Sequence, residues 1–100
     1  MNFMISEIEK DIVKRFTISK YPAIYKLDKT DNILFVESVD FDVCTSLLNG
    51  KKMSKNQFAE IMNDYQRYLQ QIDFESFDDY ALAHYKDLCK IMDIFKKYNS

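Results

Sequence analysis

The residues of this chain to test first for a zinc site or a thiol nucleophile are His84, Cys44 and Cys89, its single histidine and its two cysteines. Structural zinc needs four ligands, which commonly come as closely spaced pairs of cysteines or histidines. No such pair occurs, and His84 and Cys89 would face directions about 140° apart on one helix. The sequence therefore predicts no metal site. Because His84 falls in an apolar helical pattern, we interpret it as a packed core or interface histidine.

Neither cysteine has the surroundings that activate a thiol. A reactive thiolate needs a helix N-terminus or a neighbouring cation, together with a base. Cys89 lies in the middle of a predicted helix, and no matching base is evident for Cys44. The chain has a single glycine, so it also lacks the glycine-rich loop that cradles phosphate groups. We therefore predict no catalytic residue, no cofactor and no enzymatic activity.

Carboxylates alternate with aromatic residues between positions 73 and 80. One interpretation is a solvated loop that leads into a helix start with favourable dipole charges. The other is a contact surface for a basic protein partner. The segment does not match a calcium-binding loop, which needs ligands at alternate positions and a central glycine. The predicted contact residues, taken with two tyrosines of the preceding helix, are Tyr65, Tyr68, Phe74, Glu75, Phe77, Asp78, Asp79 and Tyr80.

Basic residues form one small cluster, which allows an alternative function. Residues 50–70 could belong to a DNA-associated transcriptional regulator that contacts nucleic acid through Lys51, Lys52, Lys55 and Arg67. Acidic residues follow on the same predicted helix, however, and the net charge of the whole chain is -2. This charge distribution disfavours nucleic acid as a partner.

The first 50 residues are predicted to mix helix and strand. Apolar residues at spacings of three and four predict a helix over 3–17, with Ile5, Ile8, Ile12 and Phe16 on its inner face. Residues 23–27 and 33–39 are predicted as the strands of a β-hairpin around a polar turn at 28–32. Residues 40–50 could be a third strand or a short helix that Asp42 caps and Asn49-Gly50 ends. We favour the short helix.

Two long amphipathic helices are predicted for the second half of the chain. Residues 54–72 begin with a capping box formed by Ser54 and Gln57. Residues 76–98 begin with Ser76 as the cap. The two helices should pack as an antiparallel hairpin, since only a short connection joins them. Their apolar stripes are wider than one such contact uses, so other elements or another chain must cover the surplus.

These elements predict a single α+β domain over residues 1–100, with an N-terminal helix, a β-hairpin and a C-terminal antiparallel helical hairpin. No apolar run approaches the roughly 20 residues that span a bilayer, so no membrane association is expected. Without a signal-peptide pattern, we expect reduced cysteines and a cytoplasmic location. Lys, Asn, Ile, Phe and Tyr are abundant, as AT-rich codons produce, which suggests a low-GC bacterium or its phage.

The predicted function follows from the lack of recognisable catalytic or metal-binding motifs and from the aromatic faces of the two helices. Tyr, Phe and Met are enriched at protein interfaces. The expectation is a small non-catalytic protein-binding domain that acts by stoichiometric contact, such as an inhibitor, an adaptor or an immunity-type protein. Its partner would be another protein or a second copy of the chain in a homodimer.

Overall fold

The computed structural model describes residues 2–18, 35–36 and 38–99. In this part of the chain there are four α-helices: α1 (Glu7–Ile18), α2 (Cys44–Asn49), α3 (Lys55–Gln71) and α4 (Asp79–Asn99). A π-helical turn, Val39–Val43, leads directly into α2, and a 3-10 turn, Phe74–Ser76, connects α3 to α4. No helix among the described residues is long and apolar enough to cross a membrane.

The predicted α+β class is wrong, because the described part of the chain is helical and contains no sheet. Its β-type pairing is one isolated antiparallel bridge between Asn2 and Lys51. The strand predicted at 33–39 is contradicted, since the described residues from Phe35 onward are helical. The strand predicted at 23–27 and the turn at 28–32 lie outside the described residues.

The apolar run around Phe35 is helical because its buried residues repeat every four positions. Phe35, Val39 and Val43 are all almost completely buried, which places them on one helical face. A short run of β-formers cannot be distinguished from a buried helix by periodicity alone. Asp42, which we expected to cap a short helix, instead lies inside the π-helical turn. The short helix itself and its end at Asn49 are confirmed.

Helix α1 begins at Glu7, four residues later than predicted. A capping box formed by Ser6 and Glu9 marks this start, and its pattern is present in the sequence. The Ser6 hydroxyl accepts the Glu9 N–H at 3.1 Å, and Glu9 Oε1 accepts the Ser6 N–H at 2.9 Å. The predicted inner face is right in part. Ile5 and Phe16 are buried as expected, but Ile8 is 75% exposed, and Val13, which was not predicted, is fully buried.

Gly50, the one glycine of the chain, joins the N-terminal segment to the end of α2. Its φ of 65° is left-handed, which an L side chain rarely adopts. Its carbonyl accepts the Phe3 N–H at 2.8 Å, and a Cβ at this position would overlap the Phe3 carbonyl oxygen. The Phe3 ring in turn stacks on Tyr98 with centroids 4.8 Å apart. Gly50 therefore lets the N-terminus lie between α2 and the end of α4.

Helix α3 begins as the sequence predicts. The Ser54 hydroxyl accepts the Gln57 N–H at 3.2 Å, and the Gln57 side chain closes the capping box. The start of α4 differs from the prediction. Asp78, rather than Ser76, is the cap, because its Oδ1 accepts the Ala81 N–H at 2.8 Å. The backbone of Ser76 belongs to the preceding 3-10 turn.

The predicted antiparallel pairing of the last two helices agrees with their ring contacts. Phe58 near the start of α3 stacks on Phe95 near the end of α4, with centroids 5.3 Å apart. Phe74, just beyond α3, meets Tyr85 in the first half of α4 at 5.0 Å. The C-terminus of α4 also holds the connection before α3, because the buried Asn99 side chain accepts the Met53 N–H at 2.8 Å.

Helix α1 lies antiparallel along α4 through buried stacking and ion pairs at its rim. Phe16 stacks on His84 at 4.5 Å. Arg15 makes a bidentate ion pair with Asp87, at 2.9 and 3.0 Å. At the other end of the contact, Glu9 Oε2 pairs with Lys97 at 3.0 Å. The two helices are antiparallel because Glu9, early in α1, contacts Lys97, late in α4, whereas Phe16, late in α1, contacts His84, early in α4.

Glu9 is the most connected charged residue of this contact. Its side chain accepts hydrogen bonds from the Ser6 N–H, from the Tyr98 hydroxyl at 2.7 Å and from the Lys97 ammonium. Partial burial alone would raise the pKa of this carboxyl, but the hydrogen bonds from Ser6, Tyr98 and Lys97 outweigh it and lower the pKa to about 2. The charged form is therefore the one that the fold stabilises.

We expect Gly50→Ala to destabilise the fold by about 2 kcal/mol or more, because the new Cβ must be accommodated in left-handed backbone beside Phe3. Chemical denaturation measures the free energy of unfolding. Asn49→Ala, at the exposed helical neighbour, is the control and should change that free energy by less than about 0.5 kcal/mol. Equal effects of the two substitutions would contradict a constrained junction at Gly50.

We expect Glu9→Gln to reduce the acid sensitivity of the fold. Since the pKa of Glu9 is lower in the folded state, its contribution to stability is present above the unfolded pKa of 4.5 and is lost as the pH falls toward about 2. The variant should be less stable than wild type at neutral pH and lose less stability on acidification. Denaturation at a series of pH values measures both. The matched control is Glu7→Gln, because the Glu7 side chain is 86% exposed, and it should reproduce the wild-type profile.

Candidate functional site

The structure places His84 in the core, as the sequence interpretation expected. The residue is 4% exposed, and its ring stacks on Phe16. Burial lowers the pKa of His84, which favours the neutral ring, and the Asp87 charge opposes this in part. Among the described residues, no three His, Cys, Asp or Glu side chains are grouped to hold a metal ion. The geometry of His84 is that of a packing residue.

The two cysteines lie in different surroundings, neither of which activates a thiol. Cys44 is 1% exposed, and burial raises the pKa of its thiol to about 12, although a hydrogen bond with Thr17 opposes that change. Cys89 is half-buried and makes hydrogen bonds with Tyr65 and Tyr85. Burial, followed by the contact with Cys89, raises the pKa of Tyr85 to about 12. Burial therefore keeps the Cys44 thiol and the Tyr85 hydroxyl protonated at neutral pH.

Two of the eight predicted contact residues belong to the core. Tyr65 and Tyr68 are 6% and 1% exposed. The Phe35 ring stacks on both, with centroids 5.7 and 5.2 Å apart. The surplus width of the aromatic stripes is thus covered within the chain, by the segment at Phe35 and by α1. Tyr65 and Tyr68 are therefore not available to a partner in this fold.

The other six predicted contact residues lie together where α3 turns into α4. We call residues 73–80 the hairpin tip. Phe74 is 50% exposed and Tyr80 is 63% exposed. Phe74 meets Phe77 and Tyr85 edge to face, with centroids 5.8 and 5.0 Å apart. These contacts hold the Phe74 ring on the surface in a fixed orientation, with one face supported and the rest open to water.

The hairpin tip contains four carboxylates, which divide into two kinds. Asp73 and Asp78 accept backbone N–H groups and cap the 3-10 turn and α4, so their role is structural. Glu75 and Asp79 are exposed, and neither makes an ion pair within the described part of the chain. The tip therefore combines a fixed aromatic ring with two carboxylates that make no ion pair with a cation of the described residues.

The predicted nucleic-acid residues do not form a basic face. Arg67 is engaged by an ion pair with Asp64 one turn earlier. Lys51 and Lys52 line a groove that also contains carboxylates. Lys55 lies at the start of α3, twelve residues from Arg67 and so about 18 Å away along the helix. Cations that are spread over such distances and interleaved with carboxylates do not form the continuous basic track that a phosphate backbone requires.

The sequence analysis missed a groove of about 450 Å³ between residues 38–49 and the first half of α3. Its volume is within the range of ligand pockets, roughly 300–1,000 Å³. One wall repeats at helical spacing and consists of Ser38, Phe41, Asp42, Thr45, Ser46 and Asn49. That spacing was a usable signal, because all of these residues except Ser38 lie in the segment 40–50 that we favoured as a helix.

Known protein families, curated proteins and solved structures show no match to this chain. The chemistry of its own surface therefore carries the functional argument. That surface offers an aromatic tip with acidic residues and a polar groove. Among the described residues it offers no cluster of metal ligands.

We expect one of the two thiols to be unreactive in the folded protein. Burial raises the pKa of Cys44 and blocks access to it, so a thiol reagent at neutral pH should modify Cys89 alone. Quantitative labelling with and without denaturant measures this, with both thiols reacting in the unfolded chain. In Cys89→Ser the folded protein should not react. Rapid modification of Cys44 in that variant would contradict the buried, inert assignment.

Proposed function

We propose that this chain is a small non-catalytic protein-binding domain whose hairpin tip contacts a basic partner protein. Such a domain would act by stoichiometric contact, as inhibitors, adaptors and immunity-type proteins do. The observation that supports it most is the half-exposed Phe74 ring, which Phe77 and Tyr85 contact, in a segment with two exposed carboxylates that form no ion pair within the described residues. A fixed aromatic residue is the common anchor of protein interfaces.

Phe74 suits the role of anchor because little conformational freedom remains for it to lose. Its ring already makes two edge contacts, so binding does not have to order a mobile side chain. Covering its exposed half would contribute about 1 kcal/mol. Tyr80, which is 63% exposed, adds aromatic surface with a hydroxyl that can reach a polar rim.

Glu75 and Asp79 define the charge of the expected partner. Both are exposed beside the aromatic ring, and the cations of the chain do not pair with them in the described structure. Opposite charge on a partner speeds association and excludes acidic competitors. A partner that combines an apolar pocket with nearby Lys or Arg residues therefore fits the tip best.

The alternative of a DNA-associated regulator finds less support in the geometry. Arg67 pairs with Asp64, and Lys51 and Lys52 share their groove with Asp42 and Glu60. Nucleic-acid binding requires a surface on which cations outnumber carboxylates. We therefore retain protein binding as the proposal.

We expect Phe74→Ala to weaken capture of a specific partner about fivefold or more and to leave the fold intact. Immobilised wild-type chain is incubated with a lysate of the source organism, and the retained proteins are quantified by mass spectrometry. Wild type should retain one protein in a 1:1 molar ratio. The same measurement with Phe74→Ala should show much less of that protein. Glu75→Gln with Asp79→Asn should weaken that retention, and added salt should weaken it too.

Phe41→Ala is the matched control, because Phe41 is 77% exposed but lies on the groove beside the first half of α3. The same partner should bind this variant as it binds wild type. Circular dichroism should show unchanged helix content in all variants, since the substituted side chains are exposed. If every retained protein binds wild type and Phe74→Ala equally, the tip is not the binding surface.

A further inference from the structure

The groove beside α3 has positive charge at one end and negative charge at the other. The chain turns from α2 into α3 through residues 50–54, so Lys51 and Lys52 mark the closed end. Asp42 lies eight residues before Gly50, about 12 Å along the helix, and Glu60 lies further along α3. These two carboxylates line the groove away from the α2–α3 connection, together with Asp64, which pairs with Arg67.

Three of these groove charges have no ion partner in the described structure. Lys51, Lys52 and Glu60 are exposed and make no ion pair there. The lysines and the carboxylate line one groove but lie at different ends of it. The groove therefore presents a dipolar charge pattern that ion pairs among the described residues do not neutralise.

An exposed aromatic residue stands at the negative end of the same groove. Phe41, next to Asp42, is 77% exposed, the most exposed aromatic residue among the described large hydrophobics. The floor of the groove includes the half-buried Met53 near the closed end and the buried Ile61. One face thus contains a protruding ring and a largely polar groove whose recess holds the apolar side chains of Met53 and Ile61.

We propose that this face is a two-fold symmetric homodimer interface, in which Phe41 of each copy enters the groove of the other. In an isologous interface a patch contacts itself, so residue i meets residue j and j meets i. Antiparallel grooves bring the lysine end of one copy against the Asp42 and Glu60 end of the other. Phe41 then reaches the closed end near Met53, whose thioether packs favourably on aromatic rings, and near the lysine cations.

A second copy fits better than an unrelated partner because the face is complementary to itself. It contains both the ring and the recess, and both signs of charge at opposite ends. An unrelated ligand could use either the ring or the recess, and either the positive or the negative end. The other member of each pair would remain exposed. The hairpin tip contributes no residue to the groove, so this dimer is independent of the proposed function.

Sedimentation equilibrium from low micromolar to near-millimolar concentration tests the dimer. Wild type should show a monomer–dimer equilibrium, and Phe41→Ala should raise the dissociation constant about tenfold or more. Phe74→Ala should dimerise as wild type does, although it binds the partner of the tip more weakly. Wild type that stays monomeric over the whole range would overturn the proposal, and so would a dimer that Phe41→Ala leaves unchanged.

A charge swap separates this interface from any other. Lys52→Glu and Glu60→Lys should each raise the dissociation constant about tenfold, because each places like charges opposite one another. The double variant restores opposite charges in both symmetry-related contacts and should return the constant close to the wild-type value. Since both residues are exposed, the fold should tolerate each change. Additive weakening in the double variant would contradict the antiparallel arrangement.

Discussion

The junction between Gly50 and Phe3 is the constraint on which the arrangement of the helices depends. Left-handed backbone at Gly50 ends α2 and brings its carbonyl to the Phe3 N–H. Phe3 then stacks on Tyr98 at the end of α4. Asn99 holds the connection that leads from Gly50 into α3. One residue without a side chain therefore lets the N-terminal segment, α2, α3 and α4 meet at one end of the molecule.

The pairing of the helices places the hairpin tip, residues 73–80, at the opposite end of α4 from the Gly50 junction. Helix α1 and helix α3 both run antiparallel to α4, through Phe16 on His84 and Phe58 on Phe95. These contacts bury the centre of every aromatic stripe. What stays exposed is aromatic surface at the ends and edges, and Phe74 lies where α3 turns into α4. The packing of the helices therefore determines which aromatic side chains remain exposed on the surface.

The sequence predicted the last two helices because their signals are local. Ser54 with Gln57 identifies a helix start, and a long 4-3 repeat identifies the inner face of α4. Prediction from the sequence failed where the local pattern is short, and where burial depends on contacts with distant parts of the chain. The run at Phe35 has strand composition, but its burial in steps of four makes it helical. Tyr65 and Tyr68 looked like interface residues because sequence alone does not show that Phe35 covers them.

Amide hydrogen exchange of the chain, alone and with its captured partner, tests most directly whether the hairpin tip binds proteins. Binding at the tip predicts new protection confined to residues 72–82, where Phe74 and Tyr80 are exposed in the free chain. Protection of α1 and α2 should not change. Protection that appears in α1 or along the groove at Phe41, with none at the tip, would contradict the proposed function.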